Sequence, residues 1–298
     1  MEAEISYGIV RKSIATIYEC KAKTKESDGQ TLSAISDQVL CGMLVSVTGK
    51  IENGYFPVKT FYGYTGYLQQ DDVIVLDEET AKDWEDSSLF VIDGICVDVM
   101  SLPRVQGVCL LSLFRGAMVA VEEWDYENTG WAKVRLADGS CGYIRNQYLI
   151  EKKFSQKGVF SGVPEQRMDI MEEQFRLAVT QTARKYLGVQ YRWGGRCTAG
   201  IDCSGLTSQS YMMNGILIWR DAKIKEGFPV HEISREEMKP GDLMYFPGHI
   251  AMYLGNDEYI HSTGKVGSGG VVINSMNAES PLYRKDLADK WYAVGSVF

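Results

Sequence analysis

Short runs of alternating apolar and polar residues recur through the first half of the chain, and each run ends at a glycine-containing turn. From Trp131 to Leu136, apolar and basic side chains alternate, and Asp138-Gly139 follows almost at once. A period of two is typical of a strand with one buried face, and Asp-Gly favours a tight hairpin turn. The pattern predicts hairpins that build a small all-β barrel.

The same pattern occurs twice. Residues 54–74 align without a gap on residues 130–150, a shift of 76 positions (130 minus 54). The matched pairs include Gly54 with Gly130, Tyr55 with Trp131, Val58 with Val134, Gly66 with Gly142 and Tyr67 with Tyr143. A repeat of this kind predicts two copies of one domain. Tyr64 falls opposite Ser140, so the repeated framework does not require an aromatic side chain there.

The last third of the chain predicts a hairpin that carries two of the three histidines. After Pro247-Gly248, large aliphatic residues at positions 250, 252 and 254 alternate with Ala and Tyr at positions 251 and 253, which predicts a strand. Gly255-Asn256-Asp257 is a turn signal. In a hairpin with an odd-length loop, positions of equal parity share a face. We therefore expect His249 and His261 to point the same way.

Cys203 has the sequence setting of a nucleophile. It follows Asp202 and precedes Ser204-Gly205 at a predicted loop-to-helix junction. The N–H groups and dipole at a helix start would lower a thiol pKa from about 8.5 toward about 3.5–7.5. Neutral His249 could then take the thiol proton, and His261 could orient the His249 ring.

Two other interpretations of these residues stay open. Cys203 could be an inert core cysteine, as most buried cysteines are. A metal site could also be formed by Cys197, Cys203, His249 and His261, although the chain has no Cys-x-x-Cys pair or His-Glu-x-x-His motif. We expect neither a metal nor a cofactor.

Five motifs in order resemble the NlpC/P60 family of papain-like cell-wall cysteine peptidases over about residues 165–298. They are Tyr191-x-Trp193-Gly194-Gly195, Asp202-Cys203-Ser204-Gly205-Leu206, Pro240-Gly241-Asp242-Leu243, Gly248-His249-Ile250-Ala251 and His261-Ser262. The resemblance implies Cys203 as nucleophile, His249 as base, His261 as third member and a Tyr191 hydroxyl near the oxyanion position.

The duplicated half is similar to bacterial SH3 (SH3b) domains. The expected fold class is therefore an α+β papain-like catalytic domain preceded by two small all-β SH3b barrels. We place the domains at residues 1–78, 79–155 and 156–298.

Two SH3b copies before an NlpC/P60 domain resemble the γ-D-glutamyl-L-diamino acid endopeptidases. These enzymes cut murein-derived peptides between γ-D-Glu and L-Lys or meso-diaminopimelate when the L-Ala amine is free. A desolvated ammonium needs a carboxylate and acceptors around it, and by resemblance Asp202, Ser204 and Tyr64 supply this site. One departure is that Ala34 stands where the family usually has a glutamate, with Asp37 nearby. Arg220-Asp221-Ala222 also follows the family pattern.

Composition limits the partners. The net charge of −8 opposes binding to nucleic acid or anionic wall polymers and favours a small peptide substrate, with no obligatory protein partner. No run of 18 apolar residues and no basic leader occurs, so we expect no membrane association. Seven cysteines without paired spacing favour a reducing, cytoplasmic location, although a leader removed from the sequence would permit secretion.

Two other functions remain as alternatives. The same catalytic residues could serve an N-acetylmuramoyl-L-alanine amidase or an endopeptidase that acts on intact peptidoglycan. The chain could also be a non-catalytic protein that binds wall peptides.

Overall fold

The computed structural model describes residues 6–167 and 169–298. The chain divides into two compact units, Met1–Glu165 and Gln166–Phe298. The expected fold class is confirmed, because the first unit is built mainly from β-sheets and the second combines helices with a sheet. This architecture fits SH3b barrels followed by a papain-like domain.

Two seven-stranded antiparallel sheets form most of the first unit. The first sheet has the order β5-β2-β8-β7-β6-β1-β9. Its strands are β1 Ser6–Val10, β2 Ile14–Tyr18, β5 Ile35–Leu40, β6 Leu44–Val47, β7 Tyr55–Thr60, β8 Thr65–Gln69 and β9 Val73–Leu76, and a separate hairpin consists of β3 Thr24–Ser27 and β4 Gln30–Ser33. Helix α1, Glu78–Ser87, leads to the second sheet.

The second sheet has the order β12-β11-β15-β14-β13-β10-β16. Its strands are β10 Phe90–Ile92, β11 Cys96–Met100, β12 Cys109–Phe114, β13 Met118–Glu123, β14 Trp131–Arg135, β15 Cys141–Arg145 and β16 Leu149–Glu151. Each strand has a counterpart at the same place in the first sheet, so the two sheets share one topology.

The strand register shows the duplication residue by residue. Tyr55 pairs with Gln69 in the first sheet, and Trp131 pairs with Arg145 in the second, which is the same pair displaced by 76 positions. The turn that follows is also conserved in geometry. The N–H of Thr60 donates to the carbonyl of Tyr64, and the N–H of Leu136 donates to the carbonyl of Ser140.

Residues 156–165, which the sequence analysis assigned to the third domain, belong to the first compact unit. The side chain of Gln156 is fully buried and accepts from the N–H of Leu44 at 2.7 Å. Glu85 accepts from the main chain and side chain of Gln156. Helix α2, Gly158–Ser161, packs on β6 and β7. The division into three domains stays a prediction.

The second unit places two packed helices against a six-stranded sheet of order β19-β24-β20-β21-β22-β23. Its helices are α3 Glu172–Arg184, α4 Cys203–Met212 and α5 Lys285–Ala288. Its strands are β17 Arg196–Cys197, β18 Gly200–Ile201, β19 His231–Ile233, β20 Leu243–Phe246, β21 His249–Gly255, β22 Glu258–Thr263, β23 Gly270–Ser275 and β24 Ala293–Ser296. Helix α4 packs on α3, β21 and β22.

Short 3₁₀ helices complete the described elements at Gln70–Asp72, Tyr126–Asn128, Asn146–Tyr148 and Arg235–Glu237. Within residues 6–167 and 169–298, no helix is both long and apolar enough to cross a membrane.

Candidate active site

Cys203 is the first residue of α4, at the predicted loop-to-helix junction. Asp202 caps this helix, and its Oδ1 accepts from the N–H of Gly205 at 2.6 Å. A side chain at position 205 would be impossible without movement, because an added Cβ would lie 2.2 Å from the carbonyl oxygen of Gly195. The glycines around Cys203 thus let two backbone segments approach closely.

The protonation of Cys203 differs from the expectation of a lowered pKa. The residue is only 7% exposed, and burial raises the pKa of its thiol to about 11, with the Asp202 carboxylate adding to the rise. Arg220 and the N–H groups of Ile250 and Ser204 act in the opposite direction. Desolvation outweighs the helix start here, so the resting thiol is neutral and needs a base to become a nucleophile.

His249 and His261 share one face of the β21–β22 hairpin, as predicted. His249 Nε2 lies 2.7 Å from His261 Nδ1. The turn itself differs from the expected three-residue loop. It consists of Asn256 and Asp257, both with φ near +55°, and the extra residue forms a bulge beside Gly255. The bulge preserves the parity that brings the two rings together.

Both histidines are held in their neutral forms. Burial lowers the pKa of His249 to about 4 and that of His261 to about 3. The positive charge of Arg284 lowers both values further, whereas the carboxylate of Asp286 raises them. A neutral imidazole at His249 and a neutral thiol at Cys203 are the protonation states from which general-base activation would start.

His261 is fully buried and has a further partner on the next strand. Its Nε2 lies 2.9 Å from Oδ1 of Asn274 on β23. The Nδ2 of Asn274 donates to the carbonyl of Leu282 at 3.0 Å. The site therefore contains a line of hydrogen-bonded side chains from His249 through His261 to Asn274.

Asp202 and Ser204 both contact a buried arginine. Arg220 is 1% exposed, and its guanidinium donates to Oδ1 and Oδ2 of Asp202 at 3.0 Å each. It also donates to Ser204 Oγ at 2.8 Å and to the carbonyl of Gly195 at 3.2 Å. The negative charge of Asp202 is thus balanced within the protein, and the ammonium-binding role predicted for Asp202 and Ser204 stays a prediction.

Tyr191 lies in a segment close to Cys203. It forms a parallel bridge with Ile201, and its N–H donates to the carbonyl of Gly269 at 2.8 Å. Burial raises the pKa of its hydroxyl above the ordinary range, and the nearby groups of Cys203 and Asp202 add to this rise. A neutral hydroxyl beside the thiol can donate a hydrogen bond to an oxyanion.

Tyr64 lies in the first unit, at the turn between β7 and β8, and is partly buried. Its main chain bonds to Thr60, and the equivalent bond at Ser140 shows that the framework needs no aromatic group there. Ala34 is buried, and the Tyr62 hydroxyl donates to Oδ2 of buried Asp37 at 2.5 Å. The role of Tyr64 in substrate binding stays a prediction.

In the described part of the chain, no group of three or more His, Cys, Asp or Glu side chains is arranged to hold a metal ion. The four conceivable ligands named from the sequence, Cys197, Cys203, His249 and His261, are accordingly not gathered into such a group.

Comparison with known proteins agrees with this geometry. The NlpC/P60 family model matches residues 188–288. A dipeptidyl-peptidase 6 from Lysinibacillus sphaericus is 40% identical over 263 residues, which cover 88% of this chain and 92% of that protein. The chain belongs to the NlpC/P60 family. It is a peptidase, as its family and its relatives indicate.

Two further similarities extend the comparison. A γ-D-glutamyl-L-lysine dipeptidyl-peptidase from Bacillus subtilis (strain 168) is 32% identical over 123 residues, covering 37% of this chain and 38% of that protein. The crystal structure of an NlpC/P60 family protein from Bacillus cereus ATCC 10987 matches with a TM-score of 0.72 and 19% identity, covering 97% of this chain and 98% of the other. At that identity the structural match supports the fold.

Two residues of this NlpC/P60 site escaped the sequence reasoning. The sequence pattern contains Arg220 as part of a motif without indicating its role, and it does not single out Asn274. In the sequence, Asn274 is a polar residue directly after the apolar run Val271-Val272-Ile273. This position indicates a contact with His261 only when the strand register is known, because the register places residue 272 opposite residue 261.

Proposed function

We propose that this NlpC/P60 peptidase hydrolyses the bond between γ-D-Glu and the L-diamino acid, L-Lys or meso-diaminopimelate, in murein peptides with a free N-terminal L-Ala. The observation that carries the proposal is the 40% identity, over 88% of this chain, to a protein named dipeptidyl-peptidase 6. The similarity to a γ-D-glutamyl-L-lysine dipeptidyl-peptidase from Bacillus subtilis supports the assignment of the same bond as the site of cleavage.

The proposed reaction starts from a neutral thiol and a neutral imidazole. Cys203 Sγ attacks the γ-carbonyl carbon of D-Glu while His249 takes the thiol proton. The Tyr191 hydroxyl donates to the oxyanion. The C–N bond then breaks, and His249 gives its proton to the leaving amine, so a thioester remains on Cys203.

Hydrolysis of the thioester completes the cycle. His249 takes a proton from water, and the resulting hydroxide equivalent attacks the thioester carbonyl. Cys203 leaves and recovers its proton from His249. The products are L-Ala-γ-D-Glu and a peptide or amino acid that begins with the free diamino acid. His261 holds the His249 ring through the 2.7 Å contact and does not itself touch the substrate.

Recognition of the free amine would involve a carboxylate that already has a partner in the protein. Asp202 already pairs with Arg220, so an ammonium would meet a carboxylate whose charge is balanced. A carboxylate oxygen can nevertheless accept two hydrogen bonds. Oδ2 of Asp202 could accept from the ammonium as well as from Arg220, with the Ser204 hydroxyl and Tyr64 as further proposed ligands.

We further propose that the substrate is a small peptide and that the enzyme acts in the cytoplasm. The seven cysteines are scattered along the sequence without paired spacing, which suits a reducing compartment. The net charge of −8 disfavours adsorption to anionic wall polymers. Cell fractionation with an antibody against the native protein tests the location, and recovery from the medium or wall fraction would contradict it.

Mass spectrometry of digests tests the proposed substrate. The enzyme should release L-Ala-γ-D-Glu from L-Ala-γ-D-Glu-L-Lys and from its diaminopimelate counterpart, and should leave intact peptidoglycan largely uncut. Cys203→Ala should lower turnover by about 10⁴-fold or more, as expected for loss of a covalent nucleophile. Cys197→Ala, a buried cysteine in the same unit, is the matched control and should retain activity.

Two results would redirect the proposal. Release of free muramyl peptides or cross-link cleavage from intact peptidoglycan, at rates above those for the tripeptides, would favour the amidase or wall endopeptidase. Binding of wall peptides without turnover, unchanged in Cys203→Ala, would favour the non-catalytic alternative.

A further inference from the structure

We propose that Asn274 is a positioning residue that fixes the proton positions on His261 and His249, so that Nδ1 of His249 is the base. This inference rests on the catalytic roles proposed above for Cys203 and His249. It concerns a residue that does not contact the thiol and acts only through the two rings.

The orientation of the Asn274 amide follows from its second partner. A backbone carbonyl can only accept hydrogen bonds, so the atom that faces the Leu282 carbonyl at 3.0 Å must be Nδ2. The oxygen Oδ1 therefore faces His261 Nε2 at 2.9 Å. Because Oδ1 can only accept, Nε2 of His261 must carry a proton.

This proton position determines the next one. Neutral His261 protonated at Nε2 has a lone pair at Nδ1, and burial keeps the ring neutral by lowering its pKa to about 3. That lone pair faces Nε2 of His249 at 2.7 Å, so Nε2 of His249 must donate. Neutral His249 is then left with its lone pair at Nδ1.

Nδ1 is then the one ring nitrogen of His249 that can accept a proton from the thiol. The N–H of Ile250, the residue after His249, lowers the pKa of the Cys203 thiol, so the start of β21 faces the sulfur. Because Nδ1 is the ring nitrogen nearer the main chain, we expect it to be the nitrogen that meets the thiol. When Nδ1 takes the thiol proton, Nε2–H continues to donate to His261, and no other proton has to move.

The opposite tautomer would disable the site. If His261 carried its proton at Nδ1, Nε2 of His249 would have to accept, and the His249 proton would then be on Nδ1. A protonated Nδ1 cannot take the thiol proton. Asn274 excludes this arrangement because Oδ1 offers no proton to His261 Nε2.

The experiment compares Asn274→Leu and Asn274→Asp with the wild-type enzyme. Nitrogen NMR of ¹⁵N-histidine-labelled protein assigns the tautomers without substrate, and exposed His231, the third histidine, is the internal reference. We expect Nε2–H on both His249 and His261 in the wild type and mixed tautomers in Asn274→Leu. Turnover of the γ-D-Glu peptide by Asn274→Leu should fall about 10- to 100-fold in kcat with KM nearly unchanged.

Asn274→Asp adds a pH signature that a merely structural role would not give. A carboxylate beside His261 favours its protonated form, whereas His249 and Arg284 oppose protonation and Asp286 favours it. Protonated His261 donates from Nδ1 and forces the unproductive tautomer of His249. The acid limb of kcat/KM should therefore move up by about one pH unit or more.

Asn214→Leu is the matched control, since Asn214 is a buried asparagine in the same unit that donates to Thr182 and Ser210. It should change stability but keep kcat/KM within about twofold. The inference is overturned by Nδ1–H on His249 in the wild type, or by unchanged tautomers and kcat in Asn274→Leu. Wild-type protein with the expected tautomers but no cleavage of the γ-D-Glu peptide would instead overturn the proposed function alone.

Discussion

Burial controls the protonation of the individual side chains at this site. Cys203, His249 and His261 all lose hydration on folding, so each is shifted toward its neutral form. Position at a helix start favours the thiolate, but the loss of water around the sulfur is the larger effect. In the proposed mechanism, the ion pair of thiolate and imidazolium is therefore a state reached by proton transfer during the reaction.

The depressed histidine pKa values predict acid sensitivity of the fold. Each ring is neutral in the folded protein down to about pH 4 for His249 and about pH 3 for His261, whereas the unfolded chain binds protons below its ordinary value of 6.5. The unfolded state thus binds more protons in this window, so stability should fall as the pH drops from about 6.5 to about 4.

Urea denaturation at pH 4.5, 5.5, 6.5 and 7.5 measures this loss. Because carboxylates also contribute to acid sensitivity, the comparison is with the His249→Gln/His261→Gln double variant, which should lose less stability over the same window. Equal losses in both proteins would contradict the shifted histidine pKa values.

A second residue-scale prediction concerns the buried pair of Arg220 and Asp202. Arg220→Met should destabilise the enzyme by about 3–5 kcal/mol, because it leaves the Asp202 carboxylate buried and unpaired beside Cys203. The additional negative charge should also raise the thiol pKa further. Thermal unfolding and the pH dependence of iodoacetamide alkylation measure the two effects.

The Arg220→Met/Asp202→Asn double variant supplies the control. Asparagine still caps the helix, and no unpaired charge remains, so the double variant should recover part of the lost stability. If the double variant lost as much stability as Arg220→Met and Asp202→Asn lose together, the pair would carry no coupling energy.

At the scale of elements, the start of helix α4 depends on one close backbone contact. Gly205 has helical geometry, and its Cα faces the carbonyl of Gly195 in the preceding loop. The contact holds the loop against the first turn of α4, directly beside Cys203. Any side chain at position 205 must push these two segments apart.

Gly205→Ala should therefore displace Cys203, the proposed nucleophile. An added methyl group 2.2 Å from a backbone oxygen cannot be accommodated by a rotamer change, so we expect lower thermal stability and at least a 10-fold lower kcat/KM. Gly49→Ala, where the nearest atom is a proline side-chain carbon at 3.1 Å, is the control. Wild-type activity in Gly205→Ala would show that the loop can move without cost to catalysis.

The hairpin shows which elements sequence could and could not predict. Alternation and parity placed His249 and His261 on one face, because parity is preserved whether the extra residue lies in the loop or in a bulge. Asn274 lies on a different strand, and its approach to His261 depends on the β22–β23 register, which local patterns do not encode. The ion pair of Arg220 and Asp202 joins residues 18 positions apart, so local sequence patterns do not encode it either.

At the scale of the whole molecule, the gapless repeat predicted the strand register of both sheets over the aligned segments. It did not extend further, because the separate β3–β4 hairpin between β2 and β5 has no counterpart among the described strands between β11 and β12. The first compact unit also includes residues 156–165, and the division of the chain into three domains stays a prediction. The side chain of Gln156, which ties that segment to Leu44 and Glu85, has no sequence signal.

The last prediction is that the enzyme reads its substrate from the free amino end. Acetylation of L-Ala removes a positive charge and two hydrogen-bond donors, so the acceptors proposed to surround the ammonium lose their partner. We expect kcat/KM for N-acetyl-L-Ala-γ-D-Glu-L-Lys to be at least about 10²-fold below that for the free peptide. Continuous detection of released lysine measures both substrates.

Three variants test which residues distinguish the free peptide from the acetylated peptide. The measured quantity is the ratio of kcat/KM for the free peptide to that for the acetylated peptide, because this ratio does not depend on the fraction of enzyme that is folded. Asp202→Asn should lower this ratio, because it should reduce kcat/KM more for the free peptide than for the acetylated peptide. Tyr64→Ala should raise KM for the free peptide. Ser140→Ala, at the equivalent turn of the second repeat, should leave the ratio unchanged. Comparable values for free and acetylated peptides in the wild type would refute amino-end recognition and favour cleavage within intact peptidoglycan.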